Sequence, residues 1–165
     1  MTVRRFRPDP VPEPVITRLL QAGRWAPSSR NLQPWHFIVI RDRETLTTIG
    51  TVASGGPFIA DAPVAIAIAM DRRNADRPEL DAGRALQQME LMAWSEGLGT
   101  CVVGVHYEDQ NRKIKDLLGI PAGMDLVTVM PFGYRPKSIK GKTSRRKPLS
   151  EMAHRERFGE SYVAE

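Results

Sequence analysis

The sequence predicts one domain that combines helices with a sheet. Two observations carry that expectation. Segments of helical period alternate with segments of strand period along the chain. One strand segment, Pro63 to Met70 (PVAIAIAM), is apolar throughout, as in a strand covered on both faces. Taken alone, the alternation points to a doubly wound parallel sheet. With 165 residues and 41% hydrophobic content, the chain can bury a core without help from disulfides or metal.

Each element has a local reason. Glu13 to Arg24 places Val15, Ile16, Leu19, Leu20 and Gly23 on one helical face, and Pro12 and Pro14 are tolerated in a first turn. Trp35 to Ile40 reads as a strand. Asp42 can cap a short helix carrying Leu46 and Ile49. Glu79 to Glu96 is the longest helix, with Ala82, Ala85, Leu86, Met89, Met92 and Ala93 as a wide apolar stripe and Gly97 closing it. Thr100 to His106 is a further strand. Asp109 is the expected cap of a helix running to Leu118, which Gly119 and Pro121 stop. Asp125 to Phe132 is the last strand, and beyond Gly133 the periodicity vanishes into a basic arm.

Composition narrows the functional classes. A single cysteine, Cys101, rules out an intrachain disulfide and favours a reducing, cytoplasmic setting. The N-terminal MTVRRFRPDP lacks the apolar stretch of a signal peptide. The longest uncharged apolar run, Ala62 to Met70, is too short for a membrane helix, so no membrane association is expected. The net charge of +5 suits either nucleic acid or a phosphorylated ligand. No acidic residue lies between Leu126 and Ser150, while Arg135, Lys137, Lys140, Lys142, Arg145, Arg146 and Lys147 are basic. The stretch from Arg135 to Lys147 has no interleaved aromatic for base stacking, and no nucleic acid is expected as a partner.

Several apparent motifs fail on context. Gly141-Lys142-Thr143 resembles the end of a phosphate-binding loop, but Pro136 occupies the place of the required first glycine. The glycines 97, 99 and 104 miss the dinucleotide spacing and precede a strand instead of following one. His36, His106 and His154 are scattered singly, so no metal site is expected. Cys101 sits in an apolar run, as a buried inert thiol would.

The most informative stretch is Ala26-Pro27-Ser28-Ser29-Arg30-Asn31-Leu32-Gln33-Pro34-Trp35. Two prolines pin a loop between the first helix and the first strand. Ser28, Ser29, Asn31 and Gln33 then form a cluster of short donors and acceptors. Such a loop suits a heteroaromatic ring whose polar edge atoms each need a directional partner. A polar turn capping its own backbone has the same composition.

The segment APSSRNLQPWHF resembles the A-P-S-S-x-N-x-Q-P-W-x-F stretch of the nitroreductase family of flavoproteins, which use flavin mononucleotide (FMN). Further stretches resemble that family in the same order. They are Thr2-Val3-Arg4-Arg5-Phe6-Arg7 at the start, Asp81-Ala82-Gly83 with Gln87-Gln88, and Gly97-Leu98-Gly99-Thr100-Cys101. Near the end come Gly133-Tyr134, Arg146-Lys147-Pro148-Leu149 and His154-Arg155-Glu156-Arg157-Phe158-Gly159. The resemblance implies an α+β, three-layer fold, with a mostly antiparallel sheet, helices on both faces and an intertwined homodimer. That replaces the parallel sheet suggested by pattern alone. It also implies one FMN-binding domain over residues 1–165, with 134–165 a basic C-terminal arm docking on the partner subunit.

Carried over by position, the resemblance implies that Arg4 and Arg146 meet the FMN phosphate. Ser28, Ser29 and Asn31 would line the ribityl chain and ring edge, Val103 and Gly104 would lie against the flavin, and Thr2, Pro27 and Gln33 would also belong to the cofactor site. The Gly104 backbone N–H would sit near N5. The implied activity is transfer of hydride from NADH or NADPH through FMN to a small aromatic, quinone or enone acceptor, by a ping-pong scheme without a dedicated acid or base. A flavin carrier or sensor with little turnover is the alternative. The chain departs from the family pattern in three places. The leading arginine pair is absent, Arg135 stands for a proline and Gln88 for an asparagine. The short stretch from Asp71 to Glu79 implies a reduced flap over the site.

Overall fold

The computed structural model describes residues 2–105, 107–137 and 145–162. Its elements follow from the local chemistry. Helix α1 (Glu13–Arg24) starts at the N-cap Pro12, with Pro14 in the first turn, where backbone N–H groups lack helical partners in any case. Strand β1 (Trp35–Ile40) comes next. Helix α2 (Arg43–Val52) is capped by Asp42, whose carboxylate accepts the Thr45 N–H at 2.8 Å. Strand β2 (Val64–Asp71) leads through one 3₁₀ turn, Arg72–Asn74, into helix α3 (Pro78–Ser95).

The next region departs from the sequence expectation. A single strand over Thr100 to His106 was expected; two short strands occur, β3 (Leu98–Thr100) and β4 (Val103–Gly104), and His106 lies outside the described residues. Helix α4 (Glu108–Leu118) starts one residue before the expected cap Asp109, which falls in its first turn. Gly119 ends it with φ of 64°, a left-handed conformation that glycine adopts without steric cost. Strand β5 (Met124–Tyr134) extends beyond the expected Phe132.

The sheet order is β1-β2-β5-β3, with β4 also on β5, and every one of these pairings is antiparallel. The α+β architecture is therefore the observed one, and the doubly wound parallel sheet read from alternation alone is wrong. Alternation reports that helices cover both faces of a sheet. It carries no information on strand direction, which is why the pattern misleads here.

β2 divides the core. Val64, Ile66, Ile68 and Met70 face α1 and α3, together with Trp35, Met130 and Phe132. Ala65, Ala67 and Ala69 face the opposite layer, with Leu46 and Ile49 of α2 and Ile114 of α4. The N-terminal segment docks by a parallel bridge from Thr2 to Thr100 and a Val3 N–H to Thr100 carbonyl bond of 2.9 Å.

The gap between β3 and β4 also has a local cause. Thr100 faces Phe132 and Val103 faces Val129, so the register continues through the gap and Cys101 falls opposite Pro131. Proline has no N–H to contribute to a ladder. Pairing resumes at Val103, and Thr128 Oγ1 reinforces it by donating to the Val103 carbonyl at 2.7 Å.

A Cβ on Gly99 would lie 2.6 Å from Val3 side-chain carbons, which is no contact distance at all. Gly99→Ala is therefore expected to displace the N-terminal segment and cost about 1–3 kcal/mol. Urea unfolding should show a lower midpoint with an unchanged slope.

Candidate functional site

The loop between α1 and β1 is an unusual piece of backbone. Arg30, Asn31 and Gln33 have φ of 50°, 57° and 50°, and none is glycine. A left-handed conformation costs an ordinary L-residue about 1–2 kcal/mol, so the surroundings must hold this shape. Inside the loop, Ser28 Oγ accepts the Gln33 N–H at 2.9 Å, and the Ser28 and Ser29 carbonyls accept the N–H groups of Asn31 and Leu32 at 3.0 and 3.1 Å.

Two carboxylates fasten it from outside. Asp81, in the first turn of α3, is fully buried and accepts the Ser29 N–H with both oxygens at 3.1 Å. Ser29 Oγ lies 3.3 Å from the same carboxylate, and Arg84 Nη1 3.4 Å. Asp76 takes the exposed Arg30 guanidinium in a two-bonded ion pair. That pairing holds the Asp76 carboxyl below its ordinary value, so the outer fastening is complete at neutral pH and is lost only as pH falls through the lowered value.

The outer side of this loop is polar. Asn31 and Gln33 are exposed, and Gln33 Nε2 reaches the Asn31 carboxamide oxygen at 3.3 Å. Two grooves flank the loop. One, of about 510 Å³, includes Gln33, Trp35, His36, Gln21 and Arg24. The other, of about 400 Å³, runs from Pro27 along Leu80, Gly83, Arg84 and Gln87 of α3.

The remaining sequence candidates lie elsewhere on the chain. Thr2 is bridged to β3, and Arg4 is exposed with its guanidinium 5.8 Å from the centre of the Phe58 ring. The Val103 side chain is buried in the core beside α2 and α4, so only its backbone is available to a ligand; Gly104 is half-buried, opposite Thr128. Arg146 is exposed in the C-terminal segment. Among the described residues, no hydrogen bond or salt bridge joins the loop to Arg4, Gly104 or Arg146, and neither arginine has an acidic partner. Arg4 lies beside Cys101, next to the β3–β4 region that holds Val103 and Gly104. The expected phosphate-loop decoy at Gly141 to Thr143, and the arm lysines Lys140 and Lys142, lie outside the described residues.

Burial pushes the Cys101 thiol up, with the neighbouring Arg4 guanidinium pulling the other way. Among the described residues, no three His, Cys, Asp or Glu side chains gather where they could hold a metal, and no helix is long and apolar enough to cross a membrane. Sequence reasoning caught the loop but missed Asp81 as its anchor. Two signals were available: an acidic residue beside the apolar stripe of the longest helix, and its place in the Asp81-Ala82-Gly83 stretch that resembles the family, which marks the position without giving its role.

Comparison with known proteins bears on the family and the fold. The family model described as the nitroreductase family matches residues 1–57 and 51–134. A protein of Methanothermobacter thermautotrophicus, provisionally named an NADH dehydrogenase/NAD(P)H nitroreductase, is 37% identical over 137 residues, spanning 81% of this chain and 72% of the relative. The FMN-dependent nitroreductase of Clostridium difficile R20291 superposes with a TM-score of 0.86 at 27% identity, covering 96% of this chain and 95% of that one. A Desulfovibrio desulfuricans protein, provisionally called a nitroreductase and solved in complex with FMN, superposes with a TM-score of 0.82 at 29% identity, over 95% of this chain and 92% of that one.

With its thiol buried and kept protonated at neutral pH, Cys101 is expected to react slowly. Native protein at pH 7.5 should take up a thiol reagent such as DTNB far more slowly than protein unfolded in urea. Equal rates would mean an accessible thiolate.

Proposed function

The chain belongs to the nitroreductase family, and from that premise we propose that it binds FMN between two copies of itself. In this reading it is an NAD(P)H oxidoreductase that reduces a small aromatic, quinone or enone acceptor. The observation that carries the proposal is the loop from Ser28 to Gln33. Its backbone is held in a costly shape by bonds within the loop and by Asp81 and Asp76 from outside, and it turns a set of amide and hydroxyl groups outward. Strain of this kind is retained where it serves a site.

The residues fit the cofactor. Ser28, Asn31 and Gln33 supply the mixed donors and acceptors that an isoalloxazine edge needs, and Pro27 walls the groove beside them. Arg4 and Arg146, exposed and without acidic partners among the described residues, suit a terminal phosphate, with Thr2 beside Arg4. Bound FMN would supply the chemistry: hydride accepted at N5 from the nicotinamide and passed to the acceptor in a second half-reaction. The chain's part is to orient the ring, and the half-buried backbone at Gly104 allows close approach. No side chain is assigned as acid or base.

The dimer follows from what one chain leaves uncovered. Leu80, Leu91 and Trp94 of α3 are exposed. Leu149, Met152, Phe158 and Tyr162 are exposed along the arm, where the backbone bonds described over 145–162 are local, as between Arg155 N–H and the Glu160 carbonyl. Apolar side chains on a segment with so little core call for a second surface, here the partner subunit. Residues 1–165 would then be one FMN-binding domain with 134–165 as its docking arm, in a cytoplasmic protein.

Purified protein should bind about one FMN per chain and much less FAD, since the site is suited to a terminal phosphate. A protein whose melting temperature is indifferent to added FMN refutes the proposal. Arg146→Ala should weaken FMN binding by about 1.5–3 kcal/mol, and Lys137→Ala by about 0–1. Gly104→Val should slow reduction of bound FMN by NADH or NADPH about tenfold or more, equivalent to roughly 1.4 kcal/mol, as followed by stopped-flow absorbance. If the wild type holds FMN and neither nucleotide reduces it, the chain is a flavin carrier or sensor.

A further inference from the structure

We propose that Asp81 is a positioning residue for the flavin loop, and that Ser29 is the handle it grips and not a contact to the ring. This rests on the reading that the loop binds FMN. Asp81 is the only buried charged residue among those described. A buried carboxylate needs several donors, and two of the three it has come from outside its own helix, both from Ser29: the N–H, shared between the two oxygens at 3.1 Å each, and the hydroxyl at 3.3 Å. The third is Arg84. Asp81 does not cap α3, whose N-cap Arg77 makes no side-chain bond. Its location in the first turn nevertheless places it where the helix field favours negative charge.

The consequences for the loop are specific. Ser29 presents its polar groups to Asp81, so neither is directed at a ligand. Ser28 has a hydroxyl proton left to donate, because its oxygen is only an acceptor toward Gln33 N–H. Asn31 and Gln33 follow immediately after the anchor, and all three left-handed residues lie within four positions of Ser29. Without the anchor, the loop can relax toward ordinary backbone angles and the Asn31 and Gln33 side chains lose their fixed direction.

The test compares Asp81→Asn, Ser29→Ala, Ser28→Ala and Met89→Ala. Asn at 81 keeps size but replaces one acceptor oxygen with an NH₂ that faces the Ser29 N–H. Met89→Ala opens the core under the same helix and serves as a control of matched destabilisation. FMN titrations should show Asp81→Asn weakened at least tenfold with an altered visible circular dichroism of bound FMN, and Ser28→Ala weakened several-fold. Ser29→Ala should stay within about threefold of wild type, because it keeps the N–H. Met89→Ala should retain the wild-type flavin signature. The proposal falls if Asp81→Asn binds as wild type, if Met89→Ala loses affinity equally, or if Ser29→Ala is the most damaging loop change. Should the wild type bind no FMN, the functional reading fails by itself. Amide hydrogen exchange at Asn31 to Gln33 then decides on the anchor: it should quicken in Asp81→Asn, and unchanged exchange overturns it.

Discussion

Seven consecutive residues of β2, Val64 to Met70, are almost completely shielded from water, with at most 1% of any of them exposed. A strand so placed must have a hydrogen-bonded neighbour along each edge and a helical layer on each face, because buried backbone groups left unpaired are costly. β1 and β5 provide the edges, and the α1/α3 and α2/α4 pairs provide the faces. The loop from Ser28 to Gln33 connects α1 of one layer to β1 of the sheet, and Asp81 reaches it from α3 in the same layer. The site is thus framed by the same packing that closes the core over β2.

Much of this was legible in the residues. The apolar run of β2, the stripe of α3 and the Asp42 cap each express one local rule, and each element forms where that rule places it. Strand direction was not legible, because an antiparallel sheet sandwiched between helices leaves the same burial pattern as a parallel one. The break at Cys101 and Val102 was hidden for another reason. It depends on Pro131, which lies thirty residues away and becomes relevant only once β5 is aligned with β3.

The candidate site divides along the same line. The polar loop was visible as composition, since hydroxyls and carboxamides fixed between prolines have few uses. Its backbone shape was not visible: residues such as Arg30 and Gln33 carry no sequence mark of a left-handed conformation, as glycine would. Nor was the role of Asp81, which the helical pattern shows only as an acid beside an apolar stripe. Arg4 and Arg146 lie at opposite ends of the sequence, and in the proposed reading the dimer brings them and the loop to one cofactor.

The unequal faces of β2 carry a consequence for how such a protein can change. On the α1/α3 side, isoleucines and methionines meet other flexible or branched side chains, and one can shrink as its neighbour grows. On the α2/α4 side, Ala65, Ala67 and Ala69 leave no volume to trade. Growth at any of the three alanines would have to be absorbed by Leu46, Ile49, Ile114 and their neighbours in that layer. On the side of the loop anchor the strand itself carries volume that can be exchanged, so β2 is the more permissive on the face that frames the site.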